Sequence, residues 1–212
     1  STAHRLLNAL MFRDFVQQDH ERRYRPGAAL RARTADSFSV HIIRQAAREP
    51  LQLLNETVNE TVQLMILQGG NIQFIDGIES RHNLRVGTRT GEMMPAFTSA
   101  GGKAMLAKLT NLELETLYES DLPFWPTGRI STIQELKKSM TVVRRSGFGT
   151  NFEETEQGVV GLGVSINDAA DRPIAAVTTA TPSIRFDRAN MSTHIAELRQ
   201  AAGAIASTLQ TQ

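Results

Sequence analysis

Cysteine is missing from this 212-residue chain. Its absence excludes disulfides, thiolate nucleophiles and cysteine-ligated zinc, and permits a reducing, cytoplasmic setting. Long apolar runs are missing too: none approaches the roughly 18 residues that cross a bilayer, and no membrane partner is expected. No secretory signal pattern opens the sequence. The five His, at 4, 20, 41, 82 and 194, have neither metal-ligand spacing nor an HExxH arrangement. GxSxG does not occur, and the glycines of GVVGLG (158–163) stand in the wrong order for a dinucleotide loop. No pair of side chains reads as a general acid and base. Internal repeats and low-complexity tracts are also lacking. The expectation is a binding or regulatory protein that is not an enzyme and needs no cofactor.

What is present describes an ordinary globule, 41% apolar and 21% charged, long enough for one or two domains with a sizeable core. Net charge is only +1, but its distribution is uneven. Residues 1–34 hold seven Arg against Asp14, Asp19 and Glu21, a net +4 that leaves −3 for the remainder. Such asymmetry points to a basic arm on a neutral-to-acidic body. Ala3, Leu6, Leu7, Leu10 and Met11 recur at helical spacing, as if the sequence began inside an element. Ser1, Thr2, His4, Arg5 and Asn8 fall on the other side of that helix or its borders. Phe15-Val16 and Arg23-Tyr24-Arg25 then read as short strands around the polar tip Asp19-His20-Glu21, ended by Pro26-Gly27. A helix with hydrogen-bonding side chains before an Arg-rich hairpin fits the second half of a winged helix-turn-helix. The helix would read the major groove of a double-stranded DNA operator, while Arg22, Arg23 and Arg25 in the wing neutralise phosphates. The pattern alone equally fits a surface helix and hairpin with incidental charge.

Thr34 to Arg48 fits a linker helix capped by Ser37, and Pro50 is expected to stop it or to start the next helix. Thr61–Leu67 and Ile72–Ile78 alternate as strands around a Gly69-Gly70-Asn71 turn. Residues 80–93 read as a loop with a short strand at 84–87. Thr132 with Glu135 has the capping-box pattern for a helix that stops at Gly147. Residues 159–166 and 174–181 are strands, and Met191 to Leu209 makes a long amphipathic helix. From about residue 50 onward the chain is α+β, an antiparallel sheet with helices packed on it.

The stretch MPAFTSAGGKAMLAKL, residues 94–109, organises the rest. Thr98 or Ser99 can cap its helix, and Gly101-Gly102 let other groups approach the first turn. Free N–H groups there, with the helix dipole behind them, favour a small anion such as a carboxylate. Lys103 suggests a nucleotide P-loop, but Phe97 stands where a glycine is required and Ala104 where Ser or Thr is required.

The segment STAHRLLNALMFRDFVQQDHERRYRPG resembles the recognition helix and wing of the IclR family of bacterial transcription regulators. The order and spacing of MMPAFTSAGGKAMLAKL, RISTIQELKKS, RRSGFGTNFEETEQG and GLGVSINDAADRPIAAVTTATP resemble that family's effector domain. The resemblance covers essentially the whole chain. It implies a partial winged helix-turn-helix over residues 1–34, a linker helix over 35–49 and a GAF-like effector-binding domain over 50–212. It also implies a homodimer or a dimer of dimers, and an effector pocket between the start of the central helix and the concave sheet face. Ser99, Ala100 and Gly101 stand where backbone amides hold an effector carboxylate, Val86 and Met94 at apolar walls, and Asn151, Val159, Gly161 and Ala180 at sheet-side positions. Members that sense small carboxylates carry an acid, a thiol and a hydroxyl where this chain has Asn151, Gly161 and Ala180. The expectation is a roomier, more apolar pocket for an aromatic or larger acid. Thr178, Thr179 and Thr181 keep hydroxyls nearby, or serve simply as strand formers.

Other readings stay open. Glu153, Glu154 and Glu156 read as a solvated acidic turn rather than a metal site. Arg81, His82 and Arg85 could line a pocket mouth, and Met93 and Met94 a soft wall. A GAF-like sensor that signals through a protein partner is the alternative to DNA binding. A small carboxylate-processing enzyme would need a nucleophile or base that the sequence does not offer.

Overall fold

The computed structural model describes residues 6–7, 9–11, 16–18, 23–26, 39–119 and 121–211. The chain forms two compact units, residues 1–39 and 40–212. In the first, residues 6–7 and 9–11 are helical, and β1 (Val16–Gln18) pairs antiparallel with β2 (Tyr24–Pro26), Gln17 opposite Arg25.

The second unit opens on α1 (Val40–Val58), which runs through Pro50 instead of stopping there. A proline inside a helix forfeits a hydrogen bond and costs ~3 kcal/mol or more. Burial outweighs it. Ile43, Ala46 and Ala47 before Pro50, and Leu51 and Leu54 after it, form one buried stripe, and a fully buried Leu or Ile contributes ~1.5–3 kcal/mol. The linker stretch and the first helix of the body are thus a single element over residues 40–58. Ser37, the expected cap, lies outside the described residues. In the last turn buried Asn55 donates to the carbonyls of Glu60 and Glu79 at 2.9 and 3.2 Å, fixing where the chain enters the sheet.

Six strands form one antiparallel sheet: β3 (Thr61–Gln68), β4 (Asn71–Ile78), β5 (Met93–Pro95), β6 (Gly149–Phe152), β7 (Val159–Asn167) and β8 (Pro173–Pro182). Their spatial order is β5-β4-β3-β8-β7-β6. Both hairpins fall where alternation and turn residues predict them. The strand expected at 84–87 is absent. The Leu84 and Val86 carbonyls accept from the Arg185 guanidinium and the Thr61 hydroxyl instead of from a neighbouring strand.

Helices cover both faces. α1 and α5 (Met191–Gln210) pack together and on one face, against β3, β4, β7 and β8. On the other lie α2 (Ala100–Leu106), α3 (Asn111–Leu117) and α4 (Ile133–Ser146), whose Met105, Leu106, Leu114, Leu136 and Met140 share a core with Met65, Ile72 and Phe74 of the sheet. The capping box of α4 forms as its sequence predicts, and Gly147 ends the helix at φ +74°.

Candidate functional site

Pro95 ends β5, and a single 3-10 turn over Ala96–Thr98 delivers Ser99 in extended backbone, φ −99° and ψ 152°. Ser99 is the cap of α2: its Oγ accepts from the Gly102 amide at 2.9 Å. Thr98, the other candidate, donates to the Pro95 carbonyl instead. The sheet is stripped to glycine where this first turn lands. A Cβ on Gly163 would lie 2.5 Å from the Gly101 nitrogen, and one on Gly149 would lie 2.1 Å from the Ala100 carbonyl oxygen. Only glycine lets helix backbone rest directly on strand backbone. Strand register extends these rows across the sheet. Gly163 is followed by Thr178 and Gln63, and Gly161 by Ala180 and Thr61, with Asn151 on its other side.

Between the start of α2 and this face is a cavity of about 30 Å³. Its lining includes Val86, Met94, Ser99, Ala100, Asn151, Val159, Gly161 and Ala180, eight of the nine effector positions named from the sequence. Gly101, the ninth, is packed beneath it, since a Cβ there would sit 2.6 Å from Met65 Sδ and 2.8 Å from Thr178 Cγ2. The expected roominess is not found. About 30 Å³ is room for roughly one water. The space freed by Gly161 is occupied from above by Ala100, whose Cβ would be 3.5 Å from a Cβ at Gly161. The lining is apolar for the larger part, through residues such as Met65, Phe74, Val86 and Met94, with Gln63, Arg89, Thr155, Thr178 and Thr179 adding polar groups.

The polar groups divide into those already engaged and those turned to the cavity. Asn151 is engaged: Nδ2 donates to Thr155 Oγ1 at 2.7 Å, and Oδ1 accepts from the Glu154 amide at 2.7 Å. It shapes the turn after β6. Gln63 is buried and uses Oε1 to accept from the Arg89 amide at 3.1 Å. Its Nε2 and the Thr178 hydroxyl meet no hydrogen-bond partner among the described residues, and both residues line the cavity. Neither atom is sealed from solvent; among the described residues the one sealed, unpartnered side-chain atom is Asn167 Oδ1. Donors that face a cavity instead of a protein partner mark a place where a polar ligand can be held.

Charge is arranged around the same point. Lys103, on α2, places Nζ 2.6 Å from both Glu154 carboxylate oxygens and 3.0 Å from the Thr150 carbonyl oxygen. Both side chains of this ion pair are buried. Burial holds the Lys103 pKa below the usual lysine range, with the Glu154 charge opposing that shift. Glu154 is therefore not part of a solvated turn. Glu156 faces Arg89, Nη2 to Oε1 2.7 Å. Arg81, His82 and Arg85 do not line the cavity; they engage Glu56, Asn59 and Glu79. Arg89 does, a position that no sequence pattern distinguished from the other arginines of its loop. Met94 lines the cavity, while Met93 is half exposed on the edge strand.

Of the DNA-facing candidates, Ser1, Thr2, His4, Arg5, Asn8 and Arg22 lie outside the described residues. Arg23 is exposed just before β2, and Arg25 stands on that strand. No helix among the described residues is long and apolar enough to cross a membrane.

Residues 35–207 match the family model described as bacterial transcriptional regulator IclR C-terminal. The chain belongs to the IclR family. The HTH-type regulator XynR of Escherichia coli is 29% identical over 211 residues, 99% of this chain and 84% of that protein. KdgR of Dickeya chrysanthemi is 30% identical over 205 residues, 95% of this chain and 67% of that one. The crystal structure of Thermotoga maritima IclR matches at TM-score 0.72 and 25% identity, covering 98% of this chain and 85% of that chain. An IclR homolog from Microbacterium hydrocarbonoxydans, complexed with 4-hydroxybenzoate, shares the fold at TM-score 0.71 and 20% identity, over 100% and 86% of the two chains. This chain is thus a DNA-binding transcriptional regulator of the IclR type, not an enzyme, and its C-terminal part is the effector domain.

Proposed function

We propose that the effector is a small polar carboxylic acid bound between the start of α2 and the concave sheet face. Its carboxylate accepts from the Ala100 and Gly101 amides, which the first turn of a helix cannot use internally. The observation that supports this reading is the pair of donors, Gln63 Nε2 and the Thr178 hydroxyl, on residues that line the same cavity, without hydrogen-bond partners among the described residues. The small volume, with a few donors set in a largely apolar lining, favours a compact acid over the aromatic or longer acid that the sequence suggests. Binding must widen the cavity. That requirement gives the effector differential affinity for two arrangements of the domain, typically ~1–3 kcal/mol, with which to bias DNA binding.

The protein acts in the cytoplasm as a dimer or dimer of dimers, presenting two recognition helices to the half-sites of an operator. Arg22, Arg23 and Arg25 contact phosphates; Ser1, Thr2, His4, Arg5 and Asn8 face base edges. A thermal-shift panel of small acids tests the effector reading. A ligand at a hundredfold over its Kd stabilises the native state by ~2.7 kcal/mol. A hit should disappear in Gly101→Val, whose side chain enters the space held by Met65 and Thr178. A hit that survives this change places the acid elsewhere, and silence across the panel overturns the carboxylate reading.

A further inference from the structure

The edges of the sheet are β5 and β6, at opposite ends of the strand order. Yet Arg89, just before β5, reaches Glu156, just after β6, at 2.7 Å. The sheet curls far enough for its two edge loops to meet over the cavity, and Arg89 is the side chain that spans them. The loop carrying Glu156 is pinned. Glu154 is held by Lys103, the Glu154 carbonyl accepts from Thr127 Oγ1, and the Thr155 carbonyl accepts from the Trp125 indole.

We infer that Arg89 is a specificity residue that reads a second acidic group, so that the effector is a short dicarboxylate. This rests on the carboxylate site proposed above. One carboxylate takes the amides at the start of α2; the other takes Arg89, with the Gln63 amide and Thr178 hydroxyl available to the remaining carboxylate oxygens. Relative exposure favours the exchange. The Arg89 side chain is 21% exposed, whereas its partners Glu156 and Glu92 are 48% and 58% exposed. Both glutamates can turn into water at little cost, because an exposed ion pair is weak and screened by solvent. An effector carboxylate would meet the same guanidinium in a drier place and in the bidentate geometry that arginine favours. A monoacid leaves Arg89 with Glu156 and gains nothing from it.

Calorimetric titration of the whole chain with malonate, succinate and glutarate, each beside its monoacid of equal length, tests the inference. At least one diacid should bind tenfold or more tightly than its monoacid. Arg89→Gln should bring that diacid down to the monoacid's affinity, and Arg89→Lys should restore part of the difference. Glu156→Gln should raise diacid affinity severalfold by freeing Arg89, an effect that a merely structural role for the pair would not produce. Equal affinity of diacid and monoacid, or a preference unmoved in Arg89→Gln, overturns the role of Arg89 and leaves the carboxylate site standing. No binding by either series overturns both.

Discussion

At the scale of single residues, the site depends on side chains whose importance lies in what they do not touch. Thr178 is a good strand former by type, and nothing local separates it from Thr179 or Thr181. Its hydroxyl becomes informative only once the fold places this residue on the cavity, with no hydrogen-bond partner for the hydroxyl among the described residues. Thr178→Val should leave the melting temperature nearly unchanged, since its hydroxyl has no hydrogen-bond partner among the described residues to lose. The same variant should bind the effector several-fold more weakly. A fall in both stability and affinity would mean that the hydroxyl is satisfied inside the protein. His194 offers a separate check. Burial lowers its pKa below 6.5, with the Glu60 charge opposing that shift. Between the lowered value and 6.5 the folded chain holds fewer protons than the unfolded chain. The His194 contribution is therefore complete above pH 6.5 and is lost as pH falls through that window. His194→Gln should flatten the dependence of melting temperature on pH between 7 and 5.

At the scale of elements, much was legible. The α4 capping box, the two hairpins and the long C-terminal helix follow from periodicity and turn residues, which are local. What sequence missed is non-local. Pro50 reads as a break because the buried stripe of α1 that overrides it is visible only against the sheet. Gly161 reads as an opening in a pocket, yet the glycines of that face admit the backbone of α2, and Ala100 occupies the room. Lys103 reads as a failed P-loop, because its partner Glu154 lies 51 residues away. That buried pair fastens α2 to the loop after β6. Lys103→Met leaves the Glu154 carboxylate buried and unpaired and should cost ~3–5 kcal/mol in denaturant unfolding. Lys103→Met with Glu154→Leu should recover most of that loss. If the double variant is no better than the single, the pair contributes through more than its charges.

At the scale of the whole molecule, the family was legible because the order and spacing of several segments carry it. The effector's size was not, because volume depends on how closely the helix and sheet backbones approach. The N-terminal unit should supply most DNA affinity through phosphates, so binding should fall steeply with salt. Replacing Arg22, Arg23 and Arg25 together should reduce the slope of log K against log salt by about 2.7, at ~0.9 per phosphate contact. Arg5→Ala should instead relax base preference, and an even loss across all sequences would make Arg5 a phosphate contact.

The most direct measurement is a titration of isotope-labelled protein with an acid that stabilises it, following the backbone amide resonances of Ala100 and Gly101. Binding at the proposed site should shift these two amides far downfield, together with a change at the Gln63 side-chain amide, all saturating at one Kd. Saturable binding that leaves those three resonances in place would contradict that site.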